Sequence, residues 1–223
     1  MQIIWKGQSF FQIITSRGKN GQVSLVIDPF SEEIGLRFPK TEADILLVTH
    51  NHPDHNNIKG VKGADPKEGE GTPFLISGPG EYEIKEVYIQ GIRSSHNNQK
   101  DGGENTIYVI EAEDLRLCHL GDLGQKELTT GQLEEIGNVD ILMIPIGGGP
   151  TIDAKDAVKI MSQIEPRIII PMHYALPKLK MKLDGLDKFL KAVGVKNPQP
   201  RPKLTIKKKD ISEEAVKIIP LQP

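Results

Sequence analysis

Apolar and polar positions along the chain fall into two regimes. Residues 2–6, 9–15 and 22–27 are short, β-branched apolar runs broken at Gly7 and across 17–21, a pattern that predicts a β-meander. Residues 44–49 form a short buried run that ends at His50. Further strands are predicted over 74–77, 82–93, 106–111 and 115–120, with turns at Pro79-Gly80 and Glu113-Asp114. Beyond residue 129 helix-like and strand-like runs alternate. Residues 130–136 read as a helix, and 140–146 as a strand leading into the loop Gly147-Gly148-Gly149-Pro150. Across 153–163, apolar residues recur at 154, 157, 158, 160, 161 and 164, a helical spacing with Asp153 placed to cap. A buried strand over 167–171, an amphipathic helix over 183–193 ending at Gly194, and strands over 203–208 and 215–221 complete the order. A regularly alternating parallel fold would not begin with so many consecutive strands, so two sheets covered by a few helices account for it better.

Composition narrows the class. With 223 residues the chain reads as one domain, 1–223, since the Pro/Gly-rich stretches 59–73 and 196–202 are too short to separate two. The single cysteine, Cys118, lies inside an apolar run and excludes both a disulfide framework and an all-cysteine zinc module. The 28 basic against 30 acidic residues, with a pI near 6.3, argue against a dedicated nucleic-acid surface, and the lysines at 207–209 read as a solvated strand end. The first residues carry no basic leader, and no apolar run approaches the ~20 residues of a membrane span, so a cytoplasmic protein acting on a small molecule is expected, with no membrane partner.

The position of the six histidines changes this picture most. Thr49-His50-Asn51-His52-Pro53-Asp54-His55 follows directly on a buried strand. In extended backbone His50 and His52 point the same way and can bind one ion together, while a turn at Pro53 can aim Asp54 and His55 at a second. Imidazole and carboxylate without thiolate suit Zn²⁺, Mn²⁺ or Fe²⁺ rather than a structural zinc. His96, Asp122 and His173 each follow a strand, where one sheet edge can gather them. Taken singly they read as an ordinary histidine or a turn aspartate; taken with the cluster they read as ligands. Asp28 before Pro29 is either a strand-end turn former or the hydrogen-bond partner of a ligand histidine. His119 reads as core or supporting residue, and Asn105 and Tyr174 as neighbours able to reach a substrate. No G-x-S-x-G is present to offer a protein nucleophile.

His50-x-His52-x-Asp54-His55, then His96, Asp122 and His173, preceded by Asp28 in Val26-Ile27-Asp28-Pro29, resembles the five-motif signature of the metallo-β-lactamase superfamily over nearly the whole chain. The resemblance implies an α+β fold, an αββα four-layer sandwich of two mixed β-sheets flanked by helices with metals at one edge. It implies two divalent ions, Zn²⁺ first and Mn²⁺ or Fe²⁺ as alternatives. His50, His52 and His96 would hold one, Asp54, His55 and His173 the other, and Asp122 would bridge both. Asp54 and Asp122 are the implied catalytic carboxylates, and the implied reaction is cleavage of a small ester, lactone or phosphoester by dinuclear metal-bound hydroxide. Short hydrolases related to ascorbate-6-phosphate lactonase are similar in residues 103–110 leading to His119-Leu120-Gly121-Asp122, and in Pro171-Met172-His173-Tyr174. The same scaffold also serves metallo-nucleases, against which stand the charge balance and the lack of room for an added nucleic-acid domain. Diiron redox relatives replace the second histidine by glutamate, whereas His52 is intact. A non-catalytic metal-binding protein is the remaining alternative.

Overall fold

Residues 1–18, 21–65, 71–96, 103–196, 198–212 and 215–223 are described by the computed structural model; parts of the expected turn at 17–21 and of the Pro/Gly-rich stretches 59–73 and 196–202 lie outside them. The predicted meander is present as β1 (Gln2–Trp5), β2 (Phe11–Ser16) and β3 (Gln22–Ile27), antiparallel neighbours. After β4 (Thr41–Ala43), β5 (Ile45–Leu47) pairs in parallel with β3. β6 (Val61–Gly63) pairs with β4 as a separate two-stranded ribbon, and β7 (Phe74–Ile76) extends the first sheet beside β5.

The second sheet starts with β8 (Gly80–Ile84), β9 (Val87–Ser95), β10 (Glu104–Ala112) and β11 (Leu115–His119), all antiparallel. It continues in parallel through β12 (Ile141–Pro145) and β13 (Ile168–Met172), each reached by way of a helix, α1 (Thr130–Ile136) and α2 (Ala154–Ile164). After α3 (Leu186–Ala192), β14 (Leu204–Thr205) returns to the first sheet beside β1 and β15 (Lys217–Ile218) joins β13. The orders are β14-β1-β2-β3-β5-β7 and β15-β13-β12-β11-β10-β9-β8, two mixed sheets as expected.

Several elements differ from the sequence reading, among them α3, expected over 183–193 and present over Leu186–Ala192. The run 82–93 is not one strand but the β8–β9 hairpin, turning at Lys85 and Glu86 with φ of 51° and 66°. Such turns favour Gly or Asn, and neither is present to mark it. The tail strands shrink to two residues each, with a 3₁₀ turn over Lys208–Asp210. The β4–β6 ribbon carries no periodic signal at three residues per strand.

Alternation packs the sheets. Leu25, Ile27, Ile45 and Leu47 enter the main core with Ile107, Val109 and Leu117, while Val26, Leu46 and Val48 face the other way into a second cluster with Phe10, Phe30, Ile34 and Val61. That outer cluster is closed by the 3₁₀ turns Glu32–Ile34 and Ile58–Gly60 and the β4–β6 ribbon, whereas the α-helices all follow β11. α1 begins with a capping box between Thr129 and Gln132, and α2 with Asp153 accepting from the Lys155 and Asp156 amides. Ala154, Ala157, Ile160 and Ile164 form the buried face of α2. Among the described residues no helix is long and apolar enough to cross a membrane.

Candidate metal centre

Strand direction explains why the polar residues converge. β9 and β11 are both antiparallel to β10, and β13 runs with β11 through β12, so their outgoing ends, followed by His96, Asp122 and His173, share one edge. In the first sheet β3 and β5 run together and end at Asp28 and at the Thr49–His55 segment. β1 has the same direction, which brings the turn carrying Gln8 and Ser9 to this edge too. The two edges meet: Thr106 N donates to Thr49 O at 3.0 Å, and His173 N to Gln8 O at 3.1 Å.

The histidine segment is not extended. His52 N contacts His50 O at 3.2 Å, and both His55 N and Asn56 N donate to His52 O at 3.0 Å, so the chain bends at once and closes a turn. The side chains gather by curvature rather than by alternation. His52 Nδ1 lies 3.0 Å from His50 Nε2 and 3.1 Å from His96 Nε2. His50, His52 and His96 form one group, and Asp54, His55, Asp122 and His173 another, each with ligand atoms mutually within 4.8 Å. The groups touch where the His50 and His55 ring centroids lie 4.2 Å apart and at Asp122 Oδ2. Asp122 Oδ2 is 3.1 Å from His55 Nε2, 3.3 Å from His173 Nε2 and 3.9 Å from His50 Nε2. Asp54 Oδ2 lies 3.3 Å and 3.6 Å from the same two nitrogens of His55 and His173.

This donor set suits a cation. His55 Nε2 and His173 Nε2 are fully buried and lack an aligned hydrogen-bond partner, although carboxylate oxygens surround them. Buried polar atoms are normally satisfied, and a divalent ion between these nitrogens and oxygens would satisfy them. Without an ion the electrostatics are polarised. Burial, with His55 nearby, brings His50 down to about 3, and burial and His96 lower His52. Burial raises the Asp54 and Asp122 carboxyls, but His55 and His173 beside them hold both well below the usual range. His55 is desolvated as well, yet Asp122, Asp28 and Asp54 raise it well above an ordinary imidazole.

A buried scaffold orients the rings. Asp28 Oδ1 accepts from Thr49 N at 2.8 Å, while Oδ2 accepts from Thr49 Oγ1 at 2.7 Å and contacts His55 Nδ1 at 2.8 Å. With its hydroxyl proton on Asp28, Thr49 Oγ1 accepts from His50 Nδ1 at 3.0 Å. Both His50 and His55 therefore present Nε2 to the centre. Of the two readings of Asp28, the structure places it against His55, at a backbone φ of 50°.

His119, fully buried, donates from Nε2 to Ser9 O at 3.0 Å and accepts at Nδ1 from Gly121 N at 3.1 Å, which holds it neutral and outside both groups. Asn105 is 1% exposed with its amide hydrogen-bonded, and it borders a cleft beside the three histidines, while Tyr174 packs on Trp5 with ring centroids 5.0 Å apart. Cys118 is buried core. Gly147 meets the His173 carbonyl so closely that a Cβ would collide with it, giving that loop a packing role.

The sequence reading missed Gln8, Ser9 and Thr49. Ser9 Oγ donates to Asp122 Oδ1 at 3.3 Å, and Gln8 is buried at φ 49°. Their only local signal is a position just past a strand end. Beside the three-histidine group a cleft of about 400 Å³ opens, lined also by Ser77, Gly78, Arg93, Asn105 and Thr106; no member of the other group lines it.

Comparison with known proteins finds relatives over most of the chain. The family described as "Beta-lactamase superfamily domain" matches residues 2–173. A UPF0173 metal-dependent hydrolase of Thermoplasma volcanium is 32% identical over 197 residues, covering 78% of this chain and 83% of the relative. A UPF0173 protein of Pyrococcus furiosus is 31% identical over 186 residues with the same coverage. A crystal structure from Thermotoga maritima, of the metallo-β-lactamase superfamily, superposes with TM-score 0.76 at 32% identity over 99% of both chains. The order of motifs, the two mixed sheets and these matches together make the chain a member of the metallo-β-lactamase superfamily.

Proposed function

We propose that the chain is a dinuclear metal-dependent hydrolase of a small ester, lactone or phosphoester. The observation that carries this reading is a three-nitrogen group adjoining a two-nitrogen, two-carboxylate group, with Asp122 Oδ2 3.9 Å from His50 Nε2 of the first and 3.1 Å and 3.3 Å from the nitrogens of the second. His50, His52 and His96 would hold one ion and Asp54, His55 and His173 the other, with Asp122, whose Oδ2 lies near nitrogens of both groups, able to serve either. Bound divalent ions, zinc first and manganese or iron as alternatives, would supply a water of lowered pKa and polarise the scissile oxygen. The metal-dependent hydrolase class is also the one named for the Thermoplasma volcanium relative.

The chain's own residues prepare that chemistry. Asp54 and Asp122 stay ionised next to His55 and His173, so the buried group carries charge complementary to a cation. Asp28 and Thr49 keep the Nε2 lone pairs of His55 and His50 turned inward. The 400 Å³ cleft reaches only the three-histidine side, so a substrate enters from there and is limited to small-molecule size. No protein nucleophile lines the cleft in a Ser/His/Asp arrangement among the described residues, which leaves water as the attacking group.

Metal analysis of the purified protein, followed by a screen of lactones, thioesters and phosphodiesters with and without chelator, tests this. Two ions per chain and turnover that chelation removes and Zn²⁺ or Mn²⁺ restores are expected. A chain that binds no divalent ion at millimolar concentration sinks the reading.

A further inference from the structure

Asn105 stands near the start of β10, between the two strands whose ends lead to His96 and Asp122. It is 1% exposed, and its amide is used on both sides. Nδ2 donates to Ser94 Oγ at 2.7 Å and to Leu120 O at 2.9 Å, while Oδ1 accepts from Asp122 N at 3.0 Å. Ser94 Oγ reciprocates by donating to Asn105 O at 3.1 Å. The neighbouring Thr106 N holds Thr49 O at 3.0 Å, next to His50. Residues 105–106 thus touch all three segments that deliver the histidines and Asp122 to this part of the edge.

The fit leaves little freedom. Gly121 has φ 58°, and a Cβ there would collide with Asn105 Oδ1 and approach Thr49 Cβ to 2.9 Å. The backbone before Asp122 is therefore pressed against the amide and the histidine loop at once. An amide is the uncharged side chain of this length that can donate twice and accept in the same place. Aspartate keeps the acceptor but cannot donate to Leu120 O, and leucine fills the volume while leaving Leu120 O and Asp122 N without this partner.

We propose that Asn105 is a positioning residue that sets Asp122 relative to the His50, His52 and His96 group. This rests on the dinuclear reading above. Because its three partners lie on two separate segments, their relative placement depends on one side chain, and partners of this kind typically carry 10–100-fold of metal affinity.

The test uses the full chain with Co²⁺ alone as probe, read as ions bound at equilibrium dialysis and as the visible absorption spectrum. Asn105→Leu and Asn105→Asp are compared with Gln163→Leu, which removes from α2 an amide that both donates to and accepts from the backbone of Leu128, ahead of α1. Both Asn105 variants are expected to lose affinity for at least one ion by about tenfold or more, with an altered spectrum. Gln163→Leu keeps the unsubstituted spectrum. If Asn105→Leu does not fold, Asn105→Asp decides. Unchanged stoichiometry, affinity and spectrum in the Asn105 variants, or the same changes in Gln163→Leu, overturn the positioning role and leave the dinuclear reading standing. An unsubstituted chain that binds no Co²⁺ overturns both.

Discussion

The carboxylate of Asp28 and the ring of His55 are held together at 2.8 Å, Oδ2 to Nδ1, with neither side chain exposed. The other carboxylate oxygen takes the amide of Thr49, so one side chain orients a histidine and anchors the start of the loop that carries it. In Asp28→Asn the amide N–H₂ or a lone oxygen must face a ring N–H and two Thr49 donors, and one of these bonds is lost. A 10–100-fold weaker affinity for divalent metal is expected, measured by competition with a chromophoric chelator. Equal affinity would deny Asp28 any part in orienting the ring.

Asp122→Ala removes the carboxylate oxygen that lies near nitrogens of both groups. Lewis-acid stabilisation is worth several kcal/mol, and each ~1.4 kcal/mol is tenfold in rate, so turnover should fall on the order of 10³-fold or more. Circular dichroism should stay that of a folded chain. Turnover that survives shows the shared role to be wrong.

The metal-free chain should be most stable near pH 6.5, the ordinary imidazole value. Burial keeps His50 near 3 and lowers His119, so below 6.5 the unfolded chain takes up protons that these two refuse when folded. Stability then falls with falling pH, by up to about 1.4 kcal/mol per unit per group. His55 has the opposite sign: desolvation opposes its charge, but Asp122, Asp28 and Asp54 raise it. As pH rises above 6.5 the unfolded His55 loses a proton the folded one keeps, and stability falls until the folded value is passed. Urea unfolding after chelation reads both limbs. With Zn²⁺ bound the alkaline limb should vanish, since a ligating histidine carries no proton on the coordinating nitrogen; an alkaline limb that persists counts against His55 as a ligand.

Gly121→Ala combines a left-handed backbone, φ 58°, with collisions against Asn105 and Thr49. A left-handed non-glycine residue costs about 1–2 kcal/mol, and crowding adds to it, which for a chain of this size lowers Tm by about 4 °C or more. Calorimetry of the metal-free protein checks this; an unchanged Tm would mean the turn can relax away from Asn105.

Local pattern made much of the fold legible. The meander, the α1 and α2 helices and the alternation of helix and strand beyond residue 129 follow from period and capping, because short β-branched runs such as β3 are broken by polar turns and Asp153 marks the start of α2. The β8–β9 turn was illegible, since Lys85 and Glu86 adopt positive φ without glycine, which the hairpin pairing imposes on them. The extended reading of His50 to His52 failed for a related reason. The segment closes on itself through His52 O, and the Thr49 amide before it is held by Asp28, a partner 21 residues away.

By itself the sequence determined which residue types stand at which strand ends: the histidine cluster, His96, Asp122, His173 and Asp28, all of them local facts about a polar residue following an apolar run. Only the tertiary structure decided that these ends share one edge, that the donors divide into two adjoining groups with Asp122 Oδ2 near nitrogens of both, and that Ser9, Thr49 and Asn105 brace them. The physical reason is distance along the chain. Ser9 meets Asp122 across 113 positions, and no local period encodes a hydrogen bond that exists only once two sheets have packed face to face.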